Sequence, residues 1–301
     1  AVILVGAYRD NIGLAQPGKI IAFMSYFTII SNALLAVTRM FVMYSKGSAS
    51  AKRIEEVLHA PEELTPIPAL PSIETDAHIV FDNVRFSYNK RKDNLSGISF
   101  SLPHGATLGV IGATGSGKTT LLALLMRFYD PDGGRIYLNG RDIRSIPADE
   151  LHRMFGSAMQ NDFLYADTIA ENVRFGRDID DRQIDGAMRT AQASDFVERL
   201  ADKADAMLTS AGTNISGGQK QRLLLSRALA GNPEILVLDD STSALDYKTD
   251  AALRQALLDS FAATTTVIVA QRVSSIQYAD LILVLDDGAL IGCGTHSELL
   301  Q

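Results

Sequence analysis

The distribution of hydrophobic and polar residues divides this 301-residue chain into two parts. Residues 20–38 form a run without any charged side chain, and the apolar character continues past Arg39 to Met43. A helix needs about 20 apolar residues to cross a bilayer, and Arg39 lies near one end of the run, where its long stem reaches the interface. The pattern predicts a membrane-spanning helix at about 20–43.

A buried helix of a soluble protein is the alternative interpretation, because four polar residues interrupt the run: Ser25, Thr28, Ser31 and Asn32. Length and the absence of charge favour the membrane span. In such a span, these polar side chains would face other helices or an aqueous pathway.

The segments on either side of this run are more polar. Residues 6–19 predict a loop before the span, because they contain several turn-forming residues: Asp10, Asn11, Gly13, Pro17 and Gly18. Basic residues after the span outnumber those before it; they are Lys46, Lys52 and Arg53 against Arg9 and Lys19. This asymmetry places the domain that follows in the cytoplasm.

Residues 49–59 continue the helical pattern, and the proline-rich stretch 61–71 predicts a semi-rigid linker. We assign 1–45 to the end of a membrane domain and 46–76 to a helical and proline-rich linker. The apolar opening at Ala1, with no methionine and no basic leader, is typical of a fragment boundary rather than of a signal peptide.

From about residue 77 the pattern changes to short β-type runs that alternate with helical ones. Strands are predicted at 79–81, 84–88, 98–102, 107–111, 135–138, 235–238, 266–269 and 281–285. The last three are continuously apolar, as expected for strands that are buried on both faces. This order predicts an α/β domain over 77–301, with a three-layer core, a mixed sheet and a helical subdomain at about 160–230.

Composition excludes some classes of function. The net charge of −7 argues against nucleic acid as the main partner, because duplex binding requires a basic footprint. The single cysteine, Cys293, excludes an intrachain disulfide and fits a reducing compartment.

Residues 112–119 form a phosphate-binding loop with the sequence Gly-Ala-Thr-Gly-Ser-Gly-Lys-Thr. The loop follows the predicted strand 107–111 and opens a predicted helix at 118–128, which is the context that such a loop requires. Its backbone N–H groups curl around phosphate, and the helix N-terminus adds a partial positive charge. Lys118 is expected to reach the β- and γ-phosphates, and the hydroxyl of Thr119 to ligate Mg²⁺.

Asp239 ends the apolar run 235–238. A lone aspartate after a strand is usually a turn residue, but beside a phosphate loop this is the position of a carboxylate that holds Mg²⁺ through water. We therefore predict a metal role for Asp239.

A second glycine-rich motif, Ser216-Gly217-Gly218-Gln219, begins a predicted helix at 219–230. Ser216 and Gln219 have the spacing of a capping box, but two glycines make a poor helix start if stability is their only role. They expose backbone N–H groups at a positive helix end, which suits a γ-phosphate.

With these motifs in this order, the chain resembles the ATP-binding cassette (ABC) family, specifically the half-transporter exporters. The resemblance covers the last transmembrane helix, the linker and the nucleotide-binding domain. It implies a P-loop NTPase domain of ABC type, preceded by an all-α membrane segment, with ATP and Mg²⁺ as cofactors. It also implies that two such domains sandwich two ATP molecules, each between one phosphate loop and the other domain's signature helix.

The resemblance assigns roles to further positions. Tyr88 stacks on adenine, with a core-facing strand residue as the alternative, and Gln160 contacts Mg²⁺ and the attacking water. The loop that communicates between the two sites matches Ser243-Ala244-Leu245-Asp246. The residues expected to bind ATP are Tyr88, Gly112, Thr114, Gly115, Ser116, Gly117, Lys118, Thr119 and Thr120. Those expected to hold Mg²⁺ are Thr119, Gln160 and Asp239.

Two positions that bear on catalysis depart from the family pattern. Asp240 stands where working sites carry the glutamate that polarises water, and a displacement of about 1 Å can cost about a hundredfold in rate. Gln271 stands where a histidine is usual, and glutamine neither titrates nor carries positive charge. A milder departure places Ser210 and Ala211 where glutamate and arginine are frequent, which affects only the coupling to the membrane domain.

The leading hypothesis is an ATPase subunit of a membrane exporter, integral to the cell membrane, with a cytoplasmic nucleotide-binding domain. Asp240 and Gln271 resemble the degenerate half of a heterodimer, so the signature at 216–219 would serve a second half-transporter. The transported substrate cannot be read from this sequence. The alternatives are a homodimeric exporter with two equal sites and a soluble ABC ATPase of DNA maintenance, which would need a basic face and no apolar run.

Overall fold

The computed structural model describes residues 2–13, 16–59, 64–68, 70–240 and 245–301. The chain divides into two compact units, Ala1–Glu63 and Leu64–Gln301. We describe each of these units by itself.

The first unit contains helices α1 (Val2–Asn11) and α2 (Pro17–Leu58). The predicted loop at 6–19 is wrong for residues 6–11 and 17–19, which are helical. Pro17 lies in the first turn of α2, where a missing N–H group has no intrahelical acceptor to lose. The predicted helix at 49–59 is continuous with the predicted span rather than a separate element.

Helix α2 is long and apolar enough to cross a membrane. Its 42 residues extend about 63 Å at 1.5 Å per residue, well beyond the hydrocarbon core of a bilayer. Two of the polar residues that interrupt the apolar run satisfy their hydroxyl groups within the helix. Ser25 Oγ donates to the carbonyl oxygen of Ile21 (3.0 Å), and Thr28 Oγ1 donates to that of Met24 (2.9 Å). These residues are therefore compatible with an apolar surrounding.

The described part of the second unit contains ten strands and nine helices. The strands are β1 (Ala77–Phe86), β2 (Leu95–Pro103), β3 (Thr107–Gly112), β4 (Gly133–Leu138), β5 (Arg141–Asp142), β6 (Phe155–Ala158), β7 (Ile235–Asp239), β8 (Thr265–Val269), β9 (Leu281–Asp286) and β10 (Ala289–Gly294). The helices are α3 (Lys118–Leu125), α4 (Ala148–Met154), α5 (Ile169–Arg174), α6 (Asp181–Thr190), α7 (Ser194–Val197), α8 (Gly217–Leu229), α9 (Tyr247–Ser260), α10 (Val273–Ile276) and α11 (His296–Leu299).

The strands form two sheets. One is four-stranded and antiparallel, in the order β2-β1-β4-β5, and the other is six-stranded, in the order β10-β9-β3-β8-β7-β6. In the second sheet β9, β3, β8, β7 and β6 run parallel and β10 is antiparallel to β9. The predicted α/β class with a mixed sheet is confirmed, and the early strands form an additional antiparallel sheet.

The buried core explains why continuous apolar runs in the sequence predicted strands correctly. Every residue of β7 is buried, as expected for a strand covered on both faces. One apolar cluster joins β3, β7, β8 and β9 to the antiparallel sheet. A second cluster joins α5, α6 and α8 to β7. The helical subdomain at about 160–230 stays a prediction, and helices α5 to α8 lie in that range.

The sheet topology positions the site. β3, β8 and β7 are adjacent and parallel, so their carboxyl ends meet at one edge of the sheet. The segments after these three strands carry the phosphate loop, Gln271 and Asp240. Ligands of open α/β sheets bind outside this edge.

Candidate functional site

The phosphate loop joins the end of β3 at Gly112 to the start of α3 at Lys118. Gly115 and Gly117 have positive φ angles of 84° and 102°, which favour glycine. A Cβ built on Gly112 would lie 2.2 Å from the carbonyl oxygen of Leu285, on β9. The loop can therefore adopt this path only with glycine at these positions.

Lys118 and Ser116 have polar groups that a bound phosphate could engage. Lys118 Nζ donates to the carbonyl oxygens of Gly112 and Ala113, both at 2.8 Å, and so folds back over its own loop. The hydroxyl of Ser116 is buried and has no hydrogen-bond partner in the described part of the chain. A buried hydroxyl without a partner is costly. These groups fit the phosphates of a nucleotide.

Asp239, at the end of β7, is 5% exposed. Burial raises the pKa of its carboxyl group, and the negative charge of Asp240 raises it further, whereas Lys118 and a hydrogen bond with Thr119 lower it. The fold thus brings together four residues that were predicted from separate motifs. The carboxylate of Asp239 and the hydroxyl oxygen of Thr119 are ligands that suit Mg²⁺. Thr120, one residue further along α3, is buried.

The two departures from the family pattern contact each other. Gln271 Nε2 donates to Asp240 Oδ2 at 3.3 Å, across the carboxyl ends of β8 and β7. Asp240 has a positive φ of 49°, and its backbone N–H donates to the carbonyl oxygen of Val269 at 2.9 Å. The backbone therefore holds the shortened carboxylate at a defined position. Gln160 is exposed and follows β6, which neighbours β7.

Tyr88 lies two residues beyond the end of β1, so the predicted strand 84–88 is two residues too long. Its side chain is 50% exposed, which contradicts the interpretation as a core-facing residue. The ring meets Phe86 and Tyr129 edge to face, with centroids 4.8 Å and 5.1 Å apart. Such a supported and exposed aromatic ring suits stacking with a base.

The signature motif begins α8 with a capping box. The N–H of Gln219 donates to Ser216 Oγ (3.3 Å), and the N–H of Ser216 donates to Gln219 Oε1 (2.8 Å). Gly217 is exposed, and no atom of the described residues lies within 4 Å of a Cβ built on it. The cap is therefore satisfied locally, while packing in the described chain does not require glycine at position 217. Gly218, next in this first turn, is partly buried.

Part of the predicted inter-site loop, Ser243 and Ala244, lies outside the described residues. Asp246 begins α9 as its N-cap and accepts hydrogen bonds from the N–H (3.0 Å) and the hydroxyl (2.7 Å) of Thr249. These hydrogen bonds lower the pKa of the Asp246 carboxyl group. The cap gives this residue a structural role besides the one predicted.

Sequence reasoning missed a contact between the phosphate loop and the turn between β9 and β10. The N–H of Gly288 donates to the carbonyl oxygen of Ser116 at 3.2 Å, and its carbonyl oxygen accepts from the N–H of Ser96 at 2.8 Å. The Asp287-Gly288 dipeptide signals a hairpin turn. Only the strand order shows that this turn lies against the phosphate loop.

Comparisons with known proteins show an ABC transporter nucleotide-binding domain in this chain and homology to ABC exporters. Residues 95–243 match the family model described as "ABC transporter". The chain is 37% identical over 295 residues to YheI of Bacillus subtilis, named "Probable multidrug resistance ABC transporter ATP-binding/permease protein", covering 97% of this chain and 50% of that protein. It is 35% identical over 286 residues to an "ATP-dependent lipid A-core flippase" of Chromohalobacter salexigens, covering 94% of this chain and 49% of that protein.

A solved structure is also similar. It is titled "Structure of a bacterial Atm1-family ABC exporter with ATP bound" and aligns with a TM-score of 0.78 and 32% sequence identity. The alignment covers 95% of this chain and 50% of that chain. The chain therefore spans about half the length of the curated relatives and of the solved exporter that it matches.

Proposed function

Because this chain carries an ABC transporter nucleotide-binding domain preceded by a long apolar helix, and is homologous to ABC exporter ATP-binding/permease proteins, we propose that it drives export by hydrolysing ATP. The observation that carries this proposal is the meeting of Lys118, Thr119 and Asp239 at the carboxyl edge of the sheet. Lys118 and the loop N–H groups would hold the phosphates. Thr119, Asp239 and Gln160 would hold Mg²⁺, which neutralises phosphate charge when it is bound.

The exporter would work as a dimer of such chains or of this chain and a relative. The first turn of α8 supports this, since Gly217 is exposed there and the first N–H groups of a helix have no intrahelical acceptor. They would contact a nucleotide held by the second domain.

We further propose that this chain is the slow half of a heterodimer. Asp240 ends one methylene short of glutamate and is held by Gln271 and by its own backbone. A water molecule polarised by this carboxylate would be displaced from the position that glutamate favours. The intact signature turn would then serve a faster site on the partner.

The relatives named for multidrug resistance and for lipid A-core flipping support an apolar or amphipathic substrate. Such a substrate also suits helix α2, whose side chains are largely apolar and exposed within their unit. The identity of the substrate would follow from transport assays on the whole protein.

The slow-site proposal can be tested by placing the usual glutamate and histidine at positions 240 and 271 of the full-length chain, together with its partner. With the acidic residue of the partner's own site replaced so that only this site turns over, the double variant Asp240→Glu, Gln271→His should raise phosphate release roughly tenfold or more, because a displacement of about 1 Å can cost about a hundredfold. Asp259→Glu, an exposed position on α9, is the matched control and should leave the rate unchanged. An unchanged rate in the double variant would contradict the slow-site proposal.

A homodimer remains the second candidate, since one chain carries both a complete phosphate loop and a complete signature turn. Expression of the full-length chain alone separates the two. A stable and ATP-hydrolysing dimer of this chain would favour the homodimer, whereas activity that appears only with a co-expressed relative would favour the heterodimer.

A further inference from the structure

Asn94 lies in the segment between β1 and β2 and hydrogen-bonds to the backbone at Phe86 and at Tyr88. Its N–H donates to the carbonyl oxygen of Phe86 at 2.7 Å. Its side-chain Oδ1 accepts from the N–H of Tyr88 at 3.1 Å. Asn94 itself is partly buried. The residue thus fixes the turn from which the tyrosine ring projects.

The backbone of the same residue lies against the phosphate loop. A Cβ built on Gly117 would lie 2.8 Å from the carbonyl oxygen of Asn94, and a Cβ built on Gly288 would lie 2.7 Å from it. Gly288 in turn donates to the carbonyl oxygen of Ser116. One residue therefore contacts the tyrosine turn through its side chain and packs beside the phosphate loop through its main chain.

We propose that Asn94 is a positioning residue that fixes the adenine-stacking tyrosine relative to the phosphate loop. This inference rests on the proposed ATP-binding function, because it needs a nucleotide whose base lies on Tyr88 and whose phosphates lie in the loop. Two subsites held at a fixed distance bind the linked ligand without a further ordering cost. Removal of the Asn94 side chain frees the tyrosine turn and leaves the Asn94 main chain beside the loop.

The consequence is specific to the base. Asn94→Ala should weaken the binding of ATP, which uses both subsites, and should spare inorganic triphosphate, which uses only the phosphate loop. A general loosening of the fold would weaken both ligands together. The ratio of the two dissociation constants therefore separates a positioning role from a merely structural one.

The experiment uses the full-length chain in detergent, with Mg²⁺ present, and measures Kd for ATP and for inorganic triphosphate by competition with a fluorescent nucleotide. Loss of one hydrogen bond predicts a roughly fivefold weaker Kd for ATP in Asn94→Ala, with the triphosphate value within about twofold. Asn94→Asp retains an acceptor oxygen and should restore most of the affinity for ATP. Asn94→Ser, whose hydroxyl is too short to reach Tyr88, replaces the alanine variant if that one does not purify.

Asn89→Ala is the matched control in the same loop, because Asn89 Oδ1 accepts from the N–H of Arg91 (3.0 Å) and from the hydroxyl of Ser87 (3.4 Å), and not from Tyr88. It should leave both constants unchanged. A double-mutant cycle adds a second criterion. In the Tyr88→Ala background, Asn94→Ala should have no further effect on the binding of ATP, since the group that it positions is gone.

Three outcomes would overturn the inference. Equal weakening of both ligands by Asn94→Ala would indicate a structural role, and unchanged ATP binding would indicate none. Additive effects in the double-mutant cycle would show that Asn94 acts without Tyr88. If the wild-type chain bound no ATP at all, the proposed function itself would fail together with the inference.

Discussion

The phosphate loop and the signature turn are both glycine-rich starts of helices, but the chain holds them differently. Around the phosphate loop, a Cβ on Gly112 would lie 2.2 Å from the carbonyl oxygen of Leu285, and one on Gly117 would lie 2.7 Å from Leu95 Cδ2. Around Gly217, no atom of the described chain lies within 4 Å of such a Cβ. Glycine is therefore required by internal packing at positions 112 and 117 of the first motif and not at position 217 of the second.

This difference indicates where each motif acts. A loop whose glycines are demanded by neighbouring strands is shaped in advance for its ligand, so it can bind nucleotide within one chain. No atom of the described chain lies close to Gly217 of the signature turn. We infer that a small residue is kept at this position to leave room for a group from outside the described chain. The signature turn also satisfies its own cap through Ser216 and Gln219, so it needs no other residue to hold its shape. The comparison supports a shared site between two domains.

The largest expected effect is a loss of ATP binding at the phosphate loop. Lys118→Ala should weaken ATP binding about a hundredfold, because the loss of two charge-assisted hydrogen bonds to phosphate costs roughly 3 kcal/mol. Equilibrium binding of ATP to the full-length chain measures it. Lys92→Ala is the control, since Lys92 is exposed and pairs with Asp287 outside the loop. Equal losses in both variants would mean that only the local charge matters.

The next prediction compares the two glycine motifs directly. Gly112→Ala should destabilise the fold by about 2 to 3 kcal/mol, since its Cβ would overlap a backbone oxygen. This corresponds to a Tm lowered by roughly 5 to 10 °C. Gly217→Ala should leave Tm and the affinity of this chain for its own ATP unchanged, while lowering turnover in the dimer.

Thermal unfolding and phosphate release on the same samples measure both effects. Comparable losses of Tm in Gly112→Ala and Gly217→Ala would show that internal packing holds the two motifs alike. Unchanged turnover in Gly217→Ala would remove the argument that the exposed turn serves a second domain.

A strand could be predicted from the sequence when its own residues show that it is buried, and not when its residues are set by packing against another element. β3 and β7 were predicted because a strand buried on both faces needs a continuous apolar run. β6 (Phe155–Ala158) was not predicted, because packing against α8 requires small residues there rather than a run of large apolar ones. A Cβ on Gly156 would lie 2.1 Å from the carbonyl oxygen of Ala228, on α8. Helix α1 was missed because the turn formers Asp10 and Asn11 lie in its last turn, where a helix tolerates them.

The site divides in the same way. Residues that are contiguous, such as the phosphate loop, could be predicted because local geometry alone makes the motif. The hydrogen bond between Gln271 and Asp240 joins residues 31 positions apart and depends on the adjacency of β7 and β8. The contact of Gly288 with Ser116 depends on β9 lying next to β3. Strand order, which no local pattern specifies, places these partners together.

A third prediction is that low pH destabilises the part of the domain around β1 and β3, which carries the phosphate loop. His78 on β1 is buried, its Nδ1 lies 2.7 Å from Thr265 Oγ1, and the same hydroxyl accepts from the N–H of Gly105 just before β3. Burial first, and then the neighbouring His104, lower the pKa of His78 from 6.5 to about 4. Glu234 lies 4.0 Å away but is 57% exposed, so its charge does not offset the burial.

The sign follows from proton uptake. Between the two pKa values the unfolded chain binds a proton at this residue that the folded chain does not, so stability falls as the pH drops from about 6.5 to about 4. The free energy of unfolding should therefore fall by about 2 kcal/mol between pH 7.5 and pH 5.

The variant His78→Gln should flatten this part of the dependence of stability on pH. The control His152→Gln, at an exposed position on α4, should leave it unchanged. The range 160–230 contains no histidine, so hydrogen exchange at pH 5 should rise around β1 and β3 before α8. A uniform rise would contradict this asymmetry.

The smallest expected effect concerns Asp240, the carboxylate on which the slow-site proposal rests. Asp240→Asn removes the charge that polarises water but keeps the size of the side chain, and its amide still reaches Gln271. If the partner's site carries most of the turnover and this carboxylate polarises water poorly, as proposed, the ATPase rate of the complex should fall less than about twofold. The same substitution at the corresponding acidic residue of the partner is the control and should abolish turnover. Equal loss in both variants would mean that the two sites hydrolyse ATP alike, and that the phosphate loop of this chain serves an active site rather than a holding site.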